Sequence, residues 1–362
     1  MASYNRSKKR VIEGIPNLIW GGIGDETDDL TVVSALKLCL NHMGEKYSKV
    51  YLAGTSCAAF YTGWRAESLG SGMGGSVFLF PDYRELGIAN LFRAIGRNYT
   101  LVKKTDPELL WKAAVQSIDA DRPVVCVEWI PVAHRGHFAI LAGYDQEKKE
   151  FLGRSYAFKP EEEYVSLRPE HLHCILVVGQ KSKEKLSSHE TALGALRCAV
   201  QMSKIGIKAG EEKGAYGVVA YEMHARMIPT GIDPKQSVYK LLEHFLFWRL
   251  DVLHLCRSYA IQYLEEIANE FSPPSRGHVK AAEECYKQLI GIFDANIQIV
   301  FPPESDKWGT GLLWRAHEKE RPIRELFSTL KGRRRFANLL LKMRDLEQEA
   351  IDELEKVVKA EE

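Results

Sequence analysis

Apolar side chains crowd the stretch 30–43. Val33, Ala35, Leu36, Leu38 and Leu40 leave almost no polar face, and the spacing predicts a buried helix. Gly44 stops it as a glycine C-cap would, and Asp25, Glu26, Asp28 and Asp29 stand before it, where the positive end of the helix dipole favours acids. An extended apolar run, Ile15 to Trp20, and a glycine loop come earlier. A short helix is predicted at 48–52, and 53–80 is rich in glycine and small residues, as loops or short strands are. Helices are predicted at 82–95 and 108–118, the latter with Asp106 as cap and Pro107 in its first turn.

The period then changes. Residues 123–129, 137–144, 150–153 and 173–178 read as strands, separated by polar turns, in the strand–turn–strand order of an antiparallel sheet. The charged stretch 181–188 marks a boundary. Beyond it the pattern is helical: 190–202, 214–227, 237–271, 276–299 and a last pair from 308 to the end. In the tail, 333–359, Leu339, Leu340, Met343, Leu346, Ile351 and Leu354 form the apolar side, and charges of both signs fill the other. The fold class is therefore α+β, with a mixed domain at 1–182 and an all-helical domain at 183–362.

Composition narrows the classes of function. The chain has 362 residues, 45% hydrophobic and 27% charged, enough for one large core or two ordinary ones. With 49 basic against 48 acidic residues, no excess points to nucleic acid. No apolar run follows the polar N-terminus, and none approaches the roughly 18–20 residues of a membrane span, so a cytoplasmic protein without a membrane partner is expected. The seven cysteines are scattered without a Cys-x-x-Cys pair, as reduced thiols are. Self-association, if any, is expected through the helical domain.

Three segments carry a resemblance. The helix beginning near Thr31 and ending at Gly44 comes first. The run Gly54-Thr55-Ser56-Cys57-Ala58-Ala59-Phe60-Tyr61 follows, and the strand Gly136-His137-Phe138 to Gly143-Tyr144-Asp145 comes last. In this order they resemble the N-terminal domain of the butirosin biosynthesis protein H family and the bacteriocin-processing cysteine peptidases, both papain-like. The resemblance covers roughly residues 11–180. It implies a nucleophile at the head of the buried helix, His137 as general base, and an orienting residue on the next strand. Counting back from Gly44, the nucleophile position falls on Thr31, and the orienting position falls near Gly153, where no carboxylate or amide stands. The site is thus rebuilt or degenerate by this alignment.

The expected chemistry follows from those departures. An active protein would transfer acyl groups, or cleave an amide or thioester, on a small acyl or peptidyl molecule. His137 would be the base and Cys57, or else Thr31, the nucleophile. The alternative is a non-catalytic binding or scaffold protein using the same cleft. Trp20, Asp28, Asp29, Phe60, Tyr61 and Trp64 are the candidate pocket residues; burial in a core explains the aromatics equally well, and helix capping explains the acids and Thr31. No cofactor or metal is implied. Gly70, Gly72, Gly74 and Gly75 lack the strand and the Gly-Lys-Ser/Thr ending of a phosphate loop, and His134, His137, His171 and His173 match no known cage spacing. Arg333-Arg334-Arg335 could dock an acidic partner, or simply be a solvated helix face.

Overall fold

A computed structural model describes residues 9–18, 31–65, 84–130, 135–155, 164–207, 214–231, 247–297 and 328–362. It is a mixed structure of helices and antiparallel sheet with a helical C-terminal part. In chain order the elements are β1 (Lys9–Val11), α1 (Thr31–His42), α2 (Lys49–Thr55), β2 (Gly63–Arg65), α3 (Ala89–Ala94), β3 (Arg97–Lys103), α4 (Pro107–Asp119), β4 (Val124–Ile130), β5 (Arg135–Asp145), β6 (Glu150–Ser155), β7 (Val165–Leu167) and β8 (Leu172–Lys181). Then follow α5 (Ser188–Ser203), β9 (Gly214–Tyr216), α6 (Val218–Gly231), α7 (Phe247–Ile267), α8 (Pro273–Ile297) and α9 (Leu330–Glu361).

These elements group into two compact units. One is drawn from Met1–Trp20, Gly24–Lys49 and Ile95–Lys185, the other from Val50–Ala94 and Leu186–Glu362. The stretch 50–94 groups with the helices that follow residue 186. The reason is apolar burial: Leu52, Ala53, Cys57, Ala59 and Phe60 are all buried, and the single turn Ala58–Phe60 packs on α7.

The first unit is built on a sheet ordered β3-β8-β4-β5-β6-β7, with β1 added to β5, and every ladder is antiparallel. Ala139, Ile140, Leu141 and Ala142 are fully buried in succession, so both faces of β5 are covered. Helices α1 and α4 supply cover: α1 packs on β4 and β5, and α4 packs on β3, β8 and β5. The cap predicted at Asp106 is made, its side chain accepting from the Leu109 N–H at 2.9 Å, with Pro107 in the first turn.

Helix α1 buries Val32, Val33, Ala35, Leu36, Cys39 and Leu40. It ends as predicted. Gly44 takes φ +80°, its N–H bonds to Asn41 O, and the next N–H, of Glu45, bonds to Leu40 O. That bond pair is a Schellman cap, which requires a left-handed residue. Glu45 then accepts from both the Nε and an Nη of Arg97, at 2.9 and 2.7 Å, while the other Nη donates to Gly179 O at 2.8 Å. The chain leaving α1 is thereby tied to the edge strand β3 and to β8.

In the second unit α9 packs on α8, α6 and α5, and α7 packs on α8. The α5 start is a full capping box: the Ser187 hydroxyl accepts from Glu190 N–H, and Glu190 Oε2 accepts from Ser187 N–H at 2.8 Å. An ion pair, Arg257 with Glu347, lies inside the bundle with side chains 0% and 2% exposed. Among the described residues no helix is long and apolar enough to cross a membrane.

Candidate functional site

The site implied by the sequence needs the head of a buried helix facing a strand that carries a histidine. Helix α1 begins at Thr31 and packs on β4 and β5, and β5 carries His137 near its start. The β4–β5 ladder stands His137 opposite Glu128. Opposed positions in an antiparallel pair share one face of the sheet. The sequence reading missed Glu128. Its signal was the close sequence spacing of two apolar runs that read as neighbouring strands.

The orienting position assigned to Gly153 is explained by packing. Gly153 pairs with Leu141, four residues along β5 from His137, a displacement of about 13 Å at the rise of a strand. A Cβ at Gly153 would lie 2.5 Å from Ile140 O and 2.8 Å from Leu167 Cδ1. An added side chain would force a shift there, so the glycine serves the close approach of β6 to β5 and β7.

Cys57 is placed quite differently from an activated thiol. It belongs to the second unit, in a tight turn where it adopts φ +66° and starts the turn Ala58–Phe60. Its side chain has no exposure, and Sγ lies 3.8 Å from Ala195 O on α5. Burial, reinforced by the neighbouring Cys198 thiol, pushes the Cys57 pKa well up; the charge of Arg257 acts weakly in the opposite sense. Reactive thiols are depressed in pKa and partly exposed, and Cys57 is neither. Cys198 in turn lies 3.6 Å from Met202 Sδ, which makes a buried sulfur cluster. All seven cysteines are buried, and none is in a disulfide.

Phe60 and Tyr61, read as possible pocket walls, are each 3% exposed and pack in the second unit. The Phe60 ring meets Tyr263 edge-on at 6.3 Å and Tyr286 at 6.2 Å. Trp64 stands in β2 opposite Ala215 of β9. Trp20, Asp28 and Asp29 lie outside the described residues, as do Asp25, Glu26 and His134 and the side chains of Thr31, Trp64, Glu128 and His137. Among the described residues no group of three or more His, Cys, Asp or Glu side chains could hold a metal ion. His173 is pushed below the ordinary imidazole range by burial and by the Lys104 charge.

Two further clusters were invisible in the sequence. Tyr164 donates to Ile12 O at 2.7 Å and accepts from Ile15 N–H at 3.3 Å, while Arg154 donates from Nε to Ile15 O at 3.0 Å and covers the Tyr164 ring at 4.1 Å. Together they pin the segment after β1 onto the sheet. Arg257, in the second unit, is the other. Its guanidinium forks onto both Glu347 oxygens, at 2.7 and 2.9 Å, and donates to Ala59 O, Tyr61 O and the Thr62 hydroxyl. Glu347 also accepts from Tyr221 and Tyr286. Every donor of the buried cation is used, and the turn 59–62 is held in place by it. No protein-family model matches the sequence, and no curated protein matches it.

Proposed function

We propose that this chain is a papain-like protein that binds a small acyl or peptidyl molecule without a thiol nucleophile, beside the start of α1 and the part of β5 that carries His137. The order of the three resembling segments and the packing of α1 on β4 and β5 support the papain-like reading. The observation that carries the non-thiol reading is Cys57: sealed from solvent, with a raised pKa and its sulfur turned to Ala195 O, it is built as a core residue.

The test uses a simple thioester, S-octanoyl-N-acetylcysteamine, and the full chain. Reversible binding by saturation-transfer NMR is expected, weakened by His137→Ala and unchanged by Cys57→Ser, with no acyl adduct in the intact mass. An adduct mapped to Cys57, or thiol release abolished by Cys57→Ser, overturns this reading.

A second reading is favoured by the register of Glu128 opposite His137. A carboxylate beside an imidazole is what a hydroxyl nucleophile requires of its base. His137 would take the Thr31 hydroxyl proton as the oxygen attacks the thioester carbonyl and give it to the departing thiolate, and water, deprotonated by the same imidazole, would then hydrolyse the acyl ester left on Thr31. Thiol release from the same compound would then fall by about a hundredfold or more in Thr31→Ala and His137→Ala, and less in Glu128→Gln. Absence of turnover in the unaltered chain ends it.

A further inference from the structure

Helix α9 carries its charge unevenly. Lys331, Arg333, Arg334, Arg335, Lys342 and Arg344 precede its first acid, Asp345, and acids predominate from there to the end. The cations of the two stretches are also used differently. Arg344 pairs with Asp345 and Glu222, Lys356 with Glu353 and Lys359 with Glu355. Arg333 donates to Pro229 O. Lys331, Arg334, Arg335 and Lys342 are exposed, and none of the four forms an ion pair or hydrogen bond among the described residues.

The four share one helix face, since positions 331, 334, 335 and 342 recur at helical spacing. With Leu330, Asn338, Leu339 and, near the end of α8, Asn296, they line an open groove of about 900 Å³, and among the described residues no carboxylate lines it. Nothing in helix energetics favours this arrangement. Like charges three and four apart repel by a few tenths of a kcal/mol each, and cations in the first turns oppose the helix dipole. Uncompensated positive charge in a concave groove of ligand size is instead the requirement for holding an anion. Adjacent guanidinium forks at Arg334 and Arg335 suit phosphate oxygens, and the two lysines add point charges at either end. From 331 to 342 the helix rises about 16 Å, too far for one phosphate to reach all four.

We infer that this groove binds an extended small molecule bearing several phosphate groups, of the size of a nucleoside triphosphate. It belongs to the second unit, whereas the site proposed around His137 belongs to the first.

Calorimetric titration of the full chain with inorganic tripolyphosphate and with ATP, at about 50 mM salt to limit screening, tests this. Saturable binding is expected. It should weaken at least about tenfold in the double variant R334Q/R335Q, and should not change in K356Q/K359Q, which removes equal charge from the paired end of the same helix. Inorganic phosphate should bind at least about tenfold more weakly than tripolyphosphate, because it engages fewer cations. Unchanged circular dichroism in both variants separates binding from folding. The inference is overturned by the absence of saturable heat with either polyphosphate, or by equal losses in the two double variants. It is likewise overturned if duplex DNA or anionic lipid vesicles are held more tightly than tripolyphosphate, since that would assign the face to a macromolecular surface.

Discussion

Replacing Glu347 by alanine is the sharpest probe of the helical unit. Arg257 has no exposed side-chain surface, so its charge is tolerated only because Glu347 takes two of its donors and Ala59 O, Tyr61 O and Thr62 take the rest. Glu347→Ala leaves the guanidinium without its counter-charge, with the Tyr221 and Tyr286 hydroxyls also deprived of their acceptor. Breaking one partner of a buried pair costs about 3–5 kcal/mol. Arg257→Met should cost at least as much, because it strands the Glu347 carboxylate and also the carbonyls of Ala59 and Tyr61, at about 1–3 kcal/mol for each unsatisfied group. The double variant Arg257→Met/Glu347→Leu removes both charges, so it should be less damaging than the sum of the singles, with a coupling of roughly 2–3 kcal/mol. It should not reach the stability of the unaltered chain, since the two carbonyls remain unpaired. Equilibrium urea unfolding followed by circular dichroism measures all four corners of the cycle. A loss below about 1 kcal/mol for Glu347→Ala, or a coupling near zero, would refute the claim that this pair is buried and that it holds the turn 59–62.

Three other outcomes follow from particular contacts. Native Cys57 should resist iodoacetamide at neutral pH and react only on unfolding, because its thiol is buried and its pKa is raised; rapid native alkylation mapped to Cys57 by mass spectrometry would contradict its placement. Gly153→Ala should destabilise by about 1–3 kcal/mol, since the added methyl meets Ile140 O at 2.5 Å; an unchanged urea midpoint would show that β6 shifts freely. Glu361 and Glu355 are held at about 2, the first by Ser275, Ser272 and His189 and the second by Lys204 and Lys359. A carboxylate depressed in the folded state contributes stability above its unfolded pKa and loses it as pH falls toward the folded value. The urea midpoint should therefore fall between about pH 4.5 and 2, and less steeply in Glu361→Gln than in the unaltered chain.

Much of the architecture is written in local pattern. The burial of α1 and its end at Gly44, the cap at Asp106, the central antiparallel strands and the helical C-terminal half all follow from side-chain periodicity and from residues whose backbone preferences act within a few positions. Strand β3 escaped that reading because it is an edge strand: Asn98, Thr100 and Lys103 face outward, and its identity comes from pairing with β8, some seventy residues on. Helix α2 and the Cys57 turn read as part of the mixed domain because they precede it in sequence, but their apolar surface is buried with helices contributed from beyond 186. Grouping of that kind depends on which distant surfaces meet.

The candidate site divides in the same way. Sequence alone placed a histidine on a strand and a threonine at the head of a buried helix, because those are statements about single elements. Tertiary structure decided that Cys57 is a core thiol, that Gly153 is a packing glycine, that Glu128 stands across from His137, and that Arg257 and Glu347 neutralise each other inside the bundle. Each of these depends on a neighbour far along the chain. Local propensity acts over a turn or a strand, whereas burial, pKa and pairing are set by whatever the fold brings alongside.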